Sequence, residues 1–118
     1  MTASTIFVRF TQPGFHCWPE PTEGRTYLGQ RHRHLFHVEV CLKVNHDDRE
    51  VEFHDLLDFA RDAFPGGEMG GQSCEMMARL LGEKIARRYR RAIQVTVSED
   101  GEVGAVVLIP LPAGAVDG

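Results

Sequence analysis

Six histidines occur in a chain of 118 residues, and two of them, His32 and His34, are separated only by Arg33. On an extended segment, residues i and i+2 project from the same face, so two imidazoles placed this way can grip one ion without backbone distortion. A third neutral nitrogen would complete the ligand set of a catalytic zinc site, in which an open position is kept for water or substrate. His16 is the best candidate for the third ligand. It sits just after a first strand, where a neighbouring second strand could bring it close to the pair. The other histidines fit less well. His37 has the wrong parity, His46 falls in a turn, and His54 lies at a helix start beside Asp55. Solvent exposure or local capping suits these three better than ligation. Because exposed loop histidines are commoner than ligands, a His-X-His pair alone is a weak signal, and the elements that position it matter.

Ile6, Val8 and Phe10 alternate with Phe7, Arg9 and Thr11, which is strand periodicity. Pro13-Gly14 is expected to break or kink that strand. Residues 17–31 hold Pro19, Pro21, Gly24 and Gly29 and read as a long loop of the kind that is often functional. Phe36, Val38, Val40, Leu42 and Val44 share one parity and predict a second strand, followed by a turn over Asn45 to Asp48. Phe53, Leu56, Leu57, Ala60, Ala63 and Phe64 recur at helical spacing up to Pro65-Gly66-Gly67. Ser73 is the expected N-cap of a second helix, with Met77, Leu80, Leu81 and Ile85 as its buried stripe. The run from Arg87 to Arg91 falls in its last turns, where cations suit the helix dipole, rather than forming a phosphate-binding patch. Ile93, Val95 and Val97, the Asp100-Gly101 turn and Val103 to Ile109 predict a closing hairpin.

The element order is strand, strand, helix, helix, strand, strand. It predicts an α+β fold, a four-stranded antiparallel sheet with two helices on one face. Residues 1–112 are read as one domain and 113–118 as a flexible tail. So small a sheet has open edges, and assembly into a ring or barrel would cover them. Apolar residues at 42% and charged residues at 25% are ordinary globular composition. A net charge of −4 argues against nucleic acid as a partner. No signal peptide and no bilayer-spanning stretch is recognised, so no membrane partner is expected. The three unpaired cysteines Cys17, Cys41 and Cys74 fit a reducing, cytoplasmic setting.

Several segments, in order, resemble the 6-pyruvoyltetrahydropterin and 6-carboxytetrahydropterin synthase family. They are Gly14-Phe15-His16, Gln30-Arg31-His32-Arg33-His34, Val51-Glu52-Phe53-His54-Asp55-Leu56, Ser73-Cys74-Glu75 and Val95-Thr96-Val97-Ser98-Glu99. Arg33 stands where the family has glycine. The resemblance implies the tunnelling fold, a zinc ion on His16, His32 and His34, and ring assembly into a homohexamer. It also implies a pterin gripped by Glu99, whose carboxylate can accept two N–H bonds from an amino-pyrimidine edge. Without the resemblance, Glu99 reads as a solvated hairpin residue.

There are departures too. Leu28 occupies the position of the family's catalytic cysteine, and Pro65 to Gln72 lacks the family's Asp-His segment. Leucine cannot move a proton. Glu20 and Glu23 in the loop after His16, Cys17 beside it, and Cys74 at a helix N-terminus, where a thiol pKa can fall, are the candidate substitutes. The implied activity is therefore a carbon-oxygen lyase reaction of the pterin-synthase type on a pterin such as dihydroneopterin triphosphate, with altered catalytic residues. The alternative is a non-catalytic pterin- or purine-binding protein that keeps zinc and ring. In a third reading, the histidines are surface residues of a partner-binding domain.

Overall fold

The structure is a computed structural model that describes residues 3–112. Strand β1 (Ser4–His16) pairs antiparallel along its whole length with β2 (His32–Val44). Helix α1 (Phe53–Ala63), the two-residue strand β3 (Gly67–Glu68) and helix α2 (Cys74–Tyr89) follow. Strands β4 (Ile93–Glu99) and β5 (Val103–Ile109) close the fold as a hairpin. The sheet order is β3-β1-β2-β4-β5.

The fold is α+β, but the sheet has five strands and is mixed rather than four-stranded and antiparallel, because β3 runs parallel to β1. The extra strand lies in the stretch between the helices. Two residues are too few to show a period, and Gly67, with φ of +71°, reads only as a turn signal. A second difference is that β1 continues through Pro13-Gly14. Since β3 pairs with β1 only from Gly14 onward, Pro13 is an edge position on that side, where sheets accept proline.

The inner face of the sheet is read off the pleat. Val8 and Phe10, then Phe36, Val38, Val40 and Leu42, then Ile93, Val95 and Val97 point one way and are buried. Both helices cover this face, α1 over β1 and α2 over β4 and β5. Leu56, Ala60, Met77, Leu81 and Ile85 supply their buried sides. Phe53 and Leu80 stay exposed at the margins of these stripes. Ser73 caps α2 as expected, its Oγ accepting the Met76 N–H at 3.2 Å, and the Glu52 carboxylate caps α1 through the Asp55 N–H at 2.8 Å. The basic run does not all belong to α2. Arg87 and Arg88 sit in its last turn, Arg90 is the left-handed cap with φ of 57°, and Arg91 lies beyond, paired with Glu50.

The loop after β1 contains a 3-10 turn at Thr26–Gly29 and folds back on itself, with the Trp18 N–H donating to the Leu28 carbonyl at 2.7 Å. Asp100 and Gly101 both have positive φ, 58° and 75°, in the three-residue loop between Glu99 and Val103, where the Glu102 N–H donates to the Glu99 carbonyl at 3.0 Å. The tail expected over 113–118 lies outside the described residues. No helix among the described residues is long and apolar enough to cross a membrane.

Candidate metal centre

The inner face changes character at one end. Along β2 the buried row Leu42, Val40, Val38, Phe36 continues into His34 and His32. Along β1 the row Val8, Phe10 reaches His16, and along β4 the row Ile93, Val95, Val97 reaches Glu99. The register sets His16 opposite His32, Gly14 opposite His34, and Phe36 opposite Glu99. Parity and pairing therefore place all four polar side chains on one face, at one end. Ligand atoms of His16, His32, His34 and Glu99 all lie within 4.8 Å of one another. The Phe36 ring forms an apolar floor, with its centroid 5.2 Å from that of His16 and 5.8 Å from that of His34.

Each imidazole is held by its Nδ1. That of His16 meets the Gln72 carbonyl at 2.9 Å, that of His32 the Gln30 carbonyl at 2.8 Å, and that of His34 the Asp100 carboxylate at 2.7 Å. Carbonyl and carboxylate oxygens have no proton to give, so each Nδ1 carries the hydrogen and donates. In the neutral ring this leaves Nε2 with a free lone pair. Nε2 of His16 and of His34 is buried without a hydrogen-bond partner. Glu99 Oε2 approaches His16 Nε2 to 2.7 Å and His34 Nε2 to 3.4 Å, but not along a direction that makes a hydrogen bond.

Three lone pairs and a carboxylate thus converge with no donor among them. Buried acceptors facing one another are costly, and a cation at their centre removes the cost. Oxygen acceptors on the far side of ligating imidazoles are the usual means of fixing tautomer and ring orientation. Three nitrogens and one carboxylate oxygen suit zinc or another first-row divalent ion, whereas magnesium and calcium favour all-oxygen shells.

Local packing explains the placement. Gly14 on β1 leaves room for Met69, since a Cβ there would lie 2.8 Å from the Met69 Cε. Met69 is buried, its N–H donates to the Phe15 carbonyl at 2.8 Å, and the Cys17 N–H donates to the Gly70 carbonyl at 2.9 Å. These contacts zip the segment after β3 onto the end of β1 and deliver the Gln72 carbonyl to His16. At the other side, Asp100 Oδ1 accepts the Leu35 N–H at 2.9 Å while its Oδ2 holds His34. That backbone bond, and then the His34 bond, keep the Asp100 carboxyl below its ordinary pKa.

A cavity of about 590 Å³ opens beside the cluster, with His16, His32 and Glu99 in its wall. This size suits one small ligand. Cys17 lines it, because β1 has ended at His16 and strict alternation no longer applies. Leu28 and Cys74 line it too. Glu20 and Glu23 do not: both are exposed and outside the cavity wall. For Cys74 the expectation of a lowered pKa is reversed. Burial, then the charges of Glu99 and Glu75, push its thiol up to about 12. His37, His46 and His54 are exposed and outside the cluster.

Sequence reasoning missed the carbonyls of Gln30 and Gln72, which carry no residue-type signal. It read Asp100 only as a turn residue and Glu75, which also lines the cavity, only as part of the Ser73-Cys74-Glu75 segment. A scan against protein-family models and a search of curated proteins match nothing to this chain.

Proposed function

We propose that this chain is a zinc protein of the pterin-synthase type, with the tunnelling fold, that binds a pterin or purine-like ring beside the metal. The observation that carries the proposal is the set of four acceptors, His16, His32, His34 and Glu99, converging without a donor, three of them in the wall of a cavity sized for one heterocycle. The ordered motifs that resemble the family support the ligand class. Zinc, when bound, supplies Lewis-acid polarisation of a hydroxyl or carbonyl on the ligand's side chain. The chain's own residues do the rest. Gln72, Gln30 and Asp100 fix the imidazoles, Phe36 keeps the floor dry, and Glu99 accepts N–H bonds from the ligand edge. Of the four residues expected to move protons, Cys17 and Cys74 are in the cavity wall, and burial pushes the Cys74 thiol up to about 12, which leaves Cys17 as the candidate.

A second reading, a non-catalytic binder, is favoured by a specific observation. The cavity wall carries Leu28 at the nucleophile position and a Cys74 thiol pushed up to about 12. A positioned base contributes roughly 10²–10⁴-fold, so turnover of dihydroneopterin triphosphate is expected to be slow or absent. Exposed Val106 and Leu108 on the edge strand β5 fit the homohexameric ring that the resemblance implies.

The test is calorimetry of zinc-loaded protein with neopterin and with a fused ring lacking the amino-pyrimidine edge, on a sample sized by light scattering. Neopterin should bind, the control should not, and the particle should be a hexamer. Equal binding of both, or of neither, would contradict the ligand class, and a monomer would contradict the assembly. Robust turnover that survives Cys17→Ala would place the base elsewhere, with Glu75 the next to examine.

A further inference from the structure

We infer that Glu99 is a fourth protein ligand to the metal, so that the resting centre is closed by His16, His32, His34 and Glu99 and holds no open position. The inference rests on the metal-site reading above and changes the role of Glu99 within it. Glu99 lines the cavity, as a residue that grips a ligand would, but its Oε2 also lies 2.7 Å from His16 Nε2 and 3.4 Å from His34 Nε2.

Neither contact is a hydrogen bond, and both nitrogens are buried and otherwise unpartnered. The ion-pair neighbours of Glu99 are these histidines. A carboxylate that faces two lone pairs is placed as a ligand is placed.

The spacing agrees. Ligands about 2.1 Å from a tetrahedral zinc stand roughly 3.4 Å apart. The Glu99 to His34 separation of 3.4 Å already meets this, the Glu99 to His16 separation of 2.7 Å would have to open, and every other pair starts within 4.8 Å. Position in the sheet agrees as well. Glu99 ends β4 opposite Phe36, two residues along β2 from His34, so the carboxylate approaches from the strand on the far side of β2 from His16. The four donors therefore come from three adjacent strands and surround a point rather than lying in a row.

One consequence is chemical. Closure of the metal and capture of an amino-pyrimidine edge draw on the same carboxylate, so ligand binding at Glu99 and an open metal position are coupled.

Cobalt(II) substituted into the whole chain reports this directly, because a water ligand exchanges for azide and shifts the visible spectrum, whereas a centre closed by four protein ligands offers azide no position. Wild-type protein should show a spectrum unchanged by added azide. Glu99→Gln should give a spectrum that azide shifts, and should bind zinc about tenfold more weakly, or weaker still, in competition with a chelator. The wild-type azide experiment does not depend on the variant folding. An azide-sensitive wild-type spectrum, or Glu99→Gln with wild-type spectrum and zinc affinity, would overturn the inference while leaving a three-histidine centre standing. No binding of cobalt or zinc by the wild type would overturn the metal reading itself.

Discussion

The two ends of the sheet's inner face follow one pleat and reach opposite solutions. At one end Val40, Leu42, Ile93 and Val95 are sealed, with Leu81 and Ile85 of α2 in the same core. At the other, the same rows of the same strands present His16, His32, His34 and Glu99. Pairing is unchanged between them, since β1 and β2 remain in register out to His16 and His32. What differs is the cover. Helices bury the apolar end, whereas the polar end is met by the Gln30 and Gln72 carbonyls and by Asp100, which take the Nδ1 hydrogens and leave lone pairs over. The apolar end is complete by itself, and the polar end could be completed by a cation. On the proposed reading, stability and metal binding fall to different stretches of one continuous surface.

The largest effect expected from breaking this comparison is at the apolar end. Leu81 is fully buried, so Leu81→Ala should lower stability by about 2–5 kcal/mol in urea denaturation, with or without zinc. His32→Ala should behave oppositely. It should change the zinc-free protein little and abolish the gain from zinc, which is about 4 kcal/mol at a thousandfold excess over Kd. If His32→Ala destabilised the zinc-free protein as much as Leu81→Ala, the two ends would not be separable in this way.

A smaller effect sharpens the comparison. In Asp100→Asn the side-chain amide would donate to His34 Nδ1, moving the ring hydrogen to Nε2 and turning a ligand into a donor. Zinc affinity should fall about 10–100-fold while the fold is kept. His37→Ala, on the outer face beside Asp100-Gly101, is the control and should leave affinity unchanged. Wild-type affinity in Asp100→Asn, measured by chelator competition, would remove the orienting role of that carboxylate.

Much of this was legible in the chain because it follows from parity. The i, i+2 spacing of His32 and His34, the alternation of Val8 and Phe10 toward His16, and the Val95, Val97, Glu99 series each fix a side of the sheet without reference to anything distant. The Ser73 cap and the Asp100-Gly101 turn were legible for the same local reason. The rest depends on contacts between separated segments. Strand β3 exists because Gly67–Glu68 lies against Gly14 and Phe15, and two residues carry no period of their own. Glu20 and Glu23 are candidates because their loop follows His16, but the loop folds with both exposed and outside the cavity wall. The helix N-terminus at Cys74 suggested a reactive thiol, and burial overrides it. Glu99 had been read as a ligand-gripping or solvated residue, and only the register of β4 on β2 brings it to His16 and His34.

The central claim, that the four convergent acceptors hold one divalent ion, is tested most directly by elemental analysis. Purified wild-type protein would be dialysed free of loose metal alongside the double variant His32→Ala, His34→Ala. The wild type should retain close to one zinc per chain and the double variant almost none. Full retention by the double variant, or no metal bound by the wild type after exposure to zinc, would contradict the claim.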